Sequence, residues 1–142
     1  MYSIVYKKHN QMKEKIYRRK IVDGIIKYLN SKEIIVIYGA RQVGKTSLLK
    51  YLIESYIKKN VFYFDLELPN LLELFNGGPE NVFDYLVQKG ADKEHKIFLI
   101  IDEVQYMDDP SKFLKIMHDH YPNIKMIVSG SSTFEIKKKF KE

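Results

Sequence analysis

The chain has 142 residues, 45% of them hydrophobic, enough for one compact domain with its own core. It contains no cysteine, which excludes disulfides and thiolate metal sites, and its net charge of +6 suits a phosphate ligand, nucleic acid or anionic lipid. Its longest apolar runs are about five residues against the roughly 20 of a membrane-spanning helix, and its start is basic rather than a secretory leader, so a soluble, cytoplasmic protein with no membrane partner is expected.

Residues 1–15 read as a basic extension. Ile16–Leu29 is a predicted helix with Ile21, Val22, Ile25, Ile26 and Leu29 on one face. Ile34–Tyr38 is short, continuously apolar and β-branched, as in a strand buried on both faces. After a break at Gly39–Lys45, Thr46–Lys58 predicts a second helix, with Leu48, Leu49, Leu52, Ile53, Tyr56 and Ile57 at the spacing of an amphipathic face. Val61–Leu66 is a second strand, Pro69–Gly78 a loop with room for a helical turn, and Pro79 the first residue of a helix ending near Gly90. Ile97–Ile101 is a third buried strand that runs into Asp102. Ser111 is expected to cap a helix carrying Phe113, Leu114, Met117 and Tyr121 to the core. Lys125–Ser129 is a fourth strand, and Ser132–Glu142 a basic tail helix. This alternation predicts a single α/β domain over residues 1–142, with a mainly parallel sheet of about four core strands covered on both faces.

Gly39-Ala40-Arg41-Gln42-Val43-Gly44-Lys45-Thr46 fits the phosphate-loop pattern G-x-x-x-x-G-K-[ST] in full, between a predicted strand and a predicted helix. Glycines let such a loop fold tightly, so that backbone N–H groups converge on phosphate oxygens. The helix that follows adds the positive end of its dipole. Gly39 through Ser47 is therefore the expected nucleotide-binding loop, with Lys45 reaching the β and γ phosphates of ATP and the Thr46 hydroxyl ligating Mg2+. An ordinary glycine turn would not need that strand-before, helix-after setting.

Ile97–Asp102 followed by Glu103 delivers two acids at the carboxyl end of a hydrophobic strand, the edge where open α/β sheets bind ligands. Asp102 is expected to hold the magnesium through its water shell, and Glu103 to act as general base on the water that attacks the γ phosphate. The Ser129-Gly130-Ser131-Ser132-Thr133 stretch offers a hydroxyl for the γ phosphate or that water, first of all Ser129; capping of the next helix is the competing reading. His118 and His120 point to different sides of a helix and read as surface residues. Asp65 and Glu67 read as a solvated loop near the same edge.

Taken together, GARQVGKT at Gly39–Thr46, IDEVQ at Ile101–Gln105 and SGSSTF at Ser129–Phe134 resemble the prokaryotic AAA-superfamily ATPases, bacterial and archaeal, that carry an uncharacterised C-terminal domain after the ATPase core. Tyr17-Arg18-Arg19-Lys20 is similar to that group as well, and the resemblance spans Tyr17 to Lys137. It implies an AAA-type three-layer α/β/α P-loop NTPase fold with the sensor strand between the P-loop strand and the Walker-B strand. It also implies that Gly39, Gly44, Lys45, Thr46 and Ser47 form the phosphate and magnesium loop, with Asp102 as the Walker-B acid, Glu103 as the catalytic glutamate and the Ser129 region as the sensor. Against the group's pattern, Ala40 stands where proline is common and no arginine finger can be assigned. Measured against that group, a fifth strand, a helical lid and the C-terminal domain are expected to be absent, and the sequence reads as a truncated core.

The expected function is ATP binding and Mg-dependent ATP hydrolysis, weak in a truncated core, with Glu103, Lys45 and Ser129 as catalytic residues. Two alternatives stay open: a non-catalytic nucleotide-binding switch or DNA-associated module, and a small P-loop kinase. The kinase is disfavoured because no arginine lies between Glu54 and Tyr121, and a GTPase would need an Asn-Lys-x-Asp reader that does not occur. ATP and ADP are the expected partners. Nucleic acid at the lysine-rich ends (Lys7, Lys8, Lys13, Lys15 and Lys137, Lys138, Lys139, Lys141) and self-assembly are further candidates, solvated ends being the plainer reading of the charge.

Overall fold

The computed structural model describes residues 1–5, 11–39 and 44–131. Strands Tyr2–Val5 (β1), Ile35–Tyr38 (β2), Val61–Asp65 (β3), Ile97–Asp102 (β4) and Ile124–Gly130 (β5) form one sheet in the order β1-β2-β5-β4-β3, with every neighbouring pair parallel. Helices Gln11–Tyr28 (α1), Lys45–Ser55 (α2), Pro69–Asn76 (α3), Pro79–Gln88 (α4) and Pro110–His120 (α5) connect them. The order implied by the resemblance is the one observed: β5 lies between β2 and β4.

Side-chain alternation along the strands builds two cores. Ile35 and Ile37 of β2, Ile100 of β4 and Ile127 of β5 join Ile21, Val22 and Ile25 of α1 and Leu48, Leu49 and Leu52 of α2. Val36 and Tyr38, with Leu99, Ile101, Met126 and Val128, face the other way onto Phe75, Val82, Leu86, Phe113, Leu114 and Met117 of α3, α4 and α5. A central strand buried on both faces has no polar face, which is why β2 and β5 are buried at every position. Among the described residues no helix is long and apolar enough to cross a membrane.

Four sequence expectations are corrected. The sheet has five strands rather than four, because Tyr2–Val5, within the expected basic extension, pairs in parallel with β2 from Tyr2↔Ile35 to Val5↔Tyr38; four residues followed by lysines carry too little periodicity to register as a strand. Pro69–Asn76 is a full helix, not a loop: Pro69 starts it at a position where a missing N–H costs nothing, and Phe75 is buried with its ring 5.1 Å from Phe64 and 5.3 Å from Phe113. The cap of α5 is Asp109, whose Oδ1 accepts from Lys112 N at 3.1 Å; Ser111 sits inside the first turn with its buried hydroxyl unpartnered. Helix α2 stops at Ser55, where Tyr56 N and Ile57 N both return to Leu52 O, leaving Tyr56 exposed instead of on the apolar face. The basic tail helix expected over 132–142 lies outside the described residues.

Among the described residues two lysines are buried, at opposite ends of the sheet. Lys125, near the start of β5, donates to Ser31 O at 2.9 Å, Ser31 Oγ at 3.2 Å and Glu33 O, tying the α1–β2 connection to the sheet. Burial first, and then the nearby Lys96 charge, pull its ammonium down to about 8. The other, Lys45, belongs to the carboxyl edge.

Candidate functional site

At that edge the register brings three strand ends into line: Ile37 pairs with Ser129, Tyr38 with Gly130, and Ile101 with Val128. Just beyond β2, Gly39 N donates to Gly130 O at 3.3 Å. Helix α2 opens over this edge with Gly44 as N-cap in the left-handed region at φ 94°, ψ 18°, where a side chain would be strained. Among the described residues no side chain caps the helix and its first turn holds no acid, so its N–H groups and the positive end of its dipole suit an anion. Ala40, Arg41, Gln42 and Val43 lie outside the described residues; Ser47 is exposed on the first turn.

Lys45 is only 3% exposed, and its Nζ donates to Gly39 O at 2.6 Å and to Gly130 O at 3.2 Å. The cation thus bridges the ends of β2 and β5 at the mouth of the loop.

The carboxylate of Asp102, 2% exposed, is the centre of the polar cluster. Its Oδ2 accepts from Thr46 Oγ1 at 2.7 Å and from the Tyr63 hydroxyl at 2.5 Å, and its Oδ1 accepts from Ser129 Oγ. Burial first, then the hydrogen bond to Asp102, hold the Tyr63 hydroxyl protonated well above the ordinary phenol range. Ser129 is fully buried and uses both capacities of its hydroxyl, donating to Asp102 and accepting Glu103 N at 3.0 Å. The hydroxyl expected to meet the γ phosphate or the attacking water points its proton at Asp102.

Glu103 adopts φ 63°, ψ 51°, a left-handed conformation that costs a non-glycine residue about 1 kcal/mol. The turn separates its side chain from the line of β4 and opens a short 3-10 segment, Val104–Tyr106. Its carboxylate, 6% exposed with the residue, accepts from Gln105 Nε2, and Gln105 Oε1 accepts from Ser131 N at 3.1 Å. Lys45, Thr46, Asp102, Glu103 and Ser129 are therefore brought to one edge. Tyr63 and Gln105 join them without having been assigned a role from sequence.

Asp65 reaches the same edge, paired in register with Asp102, and closes a local turn there by accepting Glu67 N at 3.0 Å; His118 stays apart, its Nε2 donating to Lys32 O at 2.9 Å on the surface. Ser132 and Thr133 lie outside the described residues, as do the terminal lysines Lys7, Lys8, Lys137, Lys138, Lys139 and Lys141.

The donor set fits the groups the fold implies. Thr46 and Asp102, 56 positions apart in sequence, place two hard oxygens 2.7 Å apart beside an uncapped helix N-terminus. That suits magnesium, which binds through one or two protein oxygens and completes its shell with water and phosphate.

A parallel α/β sheet with a buried lysine, a glycine-capped helix and a strand-end aspartate at its carboxyl edge defines an ATPase-like, nucleotide-binding P-loop module. The model of the AAA domain family matches residues 31–142, and the chain belongs to that family. Two relatives are proteins of the archaeon Methanocaldococcus jannaschii. Uncharacterized protein MJ1637 is 27% identical over 148 residues, covering 94% of this chain and 29% of that protein. Uncharacterized protein MJ1544 is 30% identical over 121 residues, covering 85% and 25%. The chain thus spans less than a third of the length of either. Among solved structures, Drosophila ORC bound to DNA aligns at a TM-score of 0.56 with 17% identity, over 87% of this chain and 85% of that one. Drosophila ORC bound to AT-rich DNA and Cdc6 gives 0.56 and 17%, over 87% and 51%. At that identity the likeness is one of fold.

Proposed function

We propose that the module binds ATP with magnesium and hydrolyses it to ADP and phosphate, driving a conformational or assembly change in a longer protein. The observation that carries this reading is the convergence of Lys45, Thr46 and the Asp102–Glu103 pair at one sheet edge, beneath the N-terminus of α2. In this reading Lys45 leaves the Gly39 and Gly130 carbonyls for the β and γ phosphates, and the loop from Gly39 to Ser47 supplies backbone N–H groups. Thr46 and Asp102 hold the magnesium, which when bound neutralises charge on the phosphate oxygens. Tyr63 and Ser129 keep the Asp102 carboxylate turned toward Thr46. Glu103 accepts a proton from a water molecule as its oxygen bonds to the γ phosphorus, and the bond from that phosphorus to the ADP oxygen breaks.

The test is direct: the chain is incubated with ATP and magnesium, and phosphate and ADP are quantified. Equal amounts of the two, accumulating over time and stopping on addition of EDTA, are expected. Stoichiometric ATP binding with no phosphate above a protein-free blank would reduce the module to a nucleotide-binding switch.

A further inference from the structure

Among the described residues the Glu103 carboxylate is held by the Gln105 side chain, whose geometry is fixed at both ends. Gln105 Oε1 accepts the Ser131 backbone N–H at 3.1 Å, which turns the Nε2 end of the same amide to Glu103. An amide has one end of each kind, so only this orientation satisfies both partners. The backbone beneath is equally defined: Glu103 is in the left-handed region, with its N–H on Ser129 Oγ. Ser131 follows Gly130, whose carbonyl takes the Lys45 ammonium. One strand end therefore receives the lysine and anchors the amide.

We propose that Gln105 is a positioning residue for Glu103: its amide clamps the carboxylate against the β5 edge in the orientation that meets the attacking water. A long acid on a strained turn has several staggered alternatives, and misplacement by about 1 Å can cost up to a hundredfold in rate. The inference rests on Glu103 being the base, so its test has one arm that needs no turnover.

Gln105→Met removes both bonds at nearly constant volume, whereas Gln105→Glu, measured at a pH where the new carboxyl is ionised, retains an acceptor for Ser131 N but cannot donate to Glu103. Turnover is expected to fall about tenfold or more in both, with the ATP dissociation constant within about twofold of the parent. Parental turnover in Gln105→Glu would overturn the clamp, and so would a loss carried entirely by weaker ATP binding. In the second arm, a crystal structure of Gln105→Met is expected to show the Glu103 carboxylate swung to another rotamer while Asp102 and Ser129 stay in place. An unmoved carboxylate overturns the clamp whether or not the parent hydrolyses ATP. A moved carboxylate in a protein whose parent releases no phosphate supports the clamp and removes the base role from Glu103.

Discussion

Lys45→Ala is expected to weaken ATP binding at least about a hundredfold in titration calorimetry, the effect of losing roughly 3 kcal/mol of charge-assisted contact to phosphate. Lys45 is a buried cation, 3% exposed, and the two carbonyls it bridges lie at the ends of β2 and β5. The substitution also leaves Gly39 O and Gly130 O without that donor, so thermal unfolding of the variant must be measured beside it. Lys45→Met keeps the aliphatic stem and is expected to lose ATP to the same degree. A folded variant of either kind with parental affinity would remove the phosphate role from Lys45.

Glu103→Gln is expected to lower turnover by about 10²–10³-fold while ATP affinity changes less than about twofold. The change preserves shape, and the oxygen of the new amide still accepts from Gln105 Nε2, so the local geometry is conserved and only the basic oxygen is lost. The Asp102 contacts to Thr46, Tyr63 and Ser129 are untouched, which is why binding and turnover should separate. Single-turnover phosphate release measures this. Equal rates in variant and parent would assign the base elsewhere.

The central part of the fold was legible in the sequence because its strands are largely buried on both faces and therefore mostly apolar, as in Ile35–Tyr38 and residues 97–101. The edges were not. Strand β1 is held by pairing with β2, a long-range contact that four residues do not advertise, and α3 begins at a proline in a stretch that also reads as a loop. The polar site divides the same way. Lys45, Thr46, Asp102 and Glu103 sit in motifs whose spacing points to the chemistry proposed for them. Tyr63 is one of 11 tyrosines, marked only by lying one strand away from Asp102. Gln105 stands inside the IDEVQ stretch, but its partner Ser131 is 26 residues away, and only the β4–β5 pairing joins them. Ser129 was found by position, but the direction of its proton depends on the buried carboxylate beside it.

A triphosphate gripped between the N-terminus of α2 and the Asp102 edge of the sheet is the centre of the proposed function. The most direct measurement is a crystal structure of the unmodified chain with magnesium and a non-hydrolysable ATP analogue. The Lys45 ammonium is expected on the β and γ phosphates, and a cation on the Thr46 hydroxyl beside Asp102. Analogue bound elsewhere, or Lys45 still on the Gly39 and Gly130 carbonyls with nucleotide present, would contradict that function.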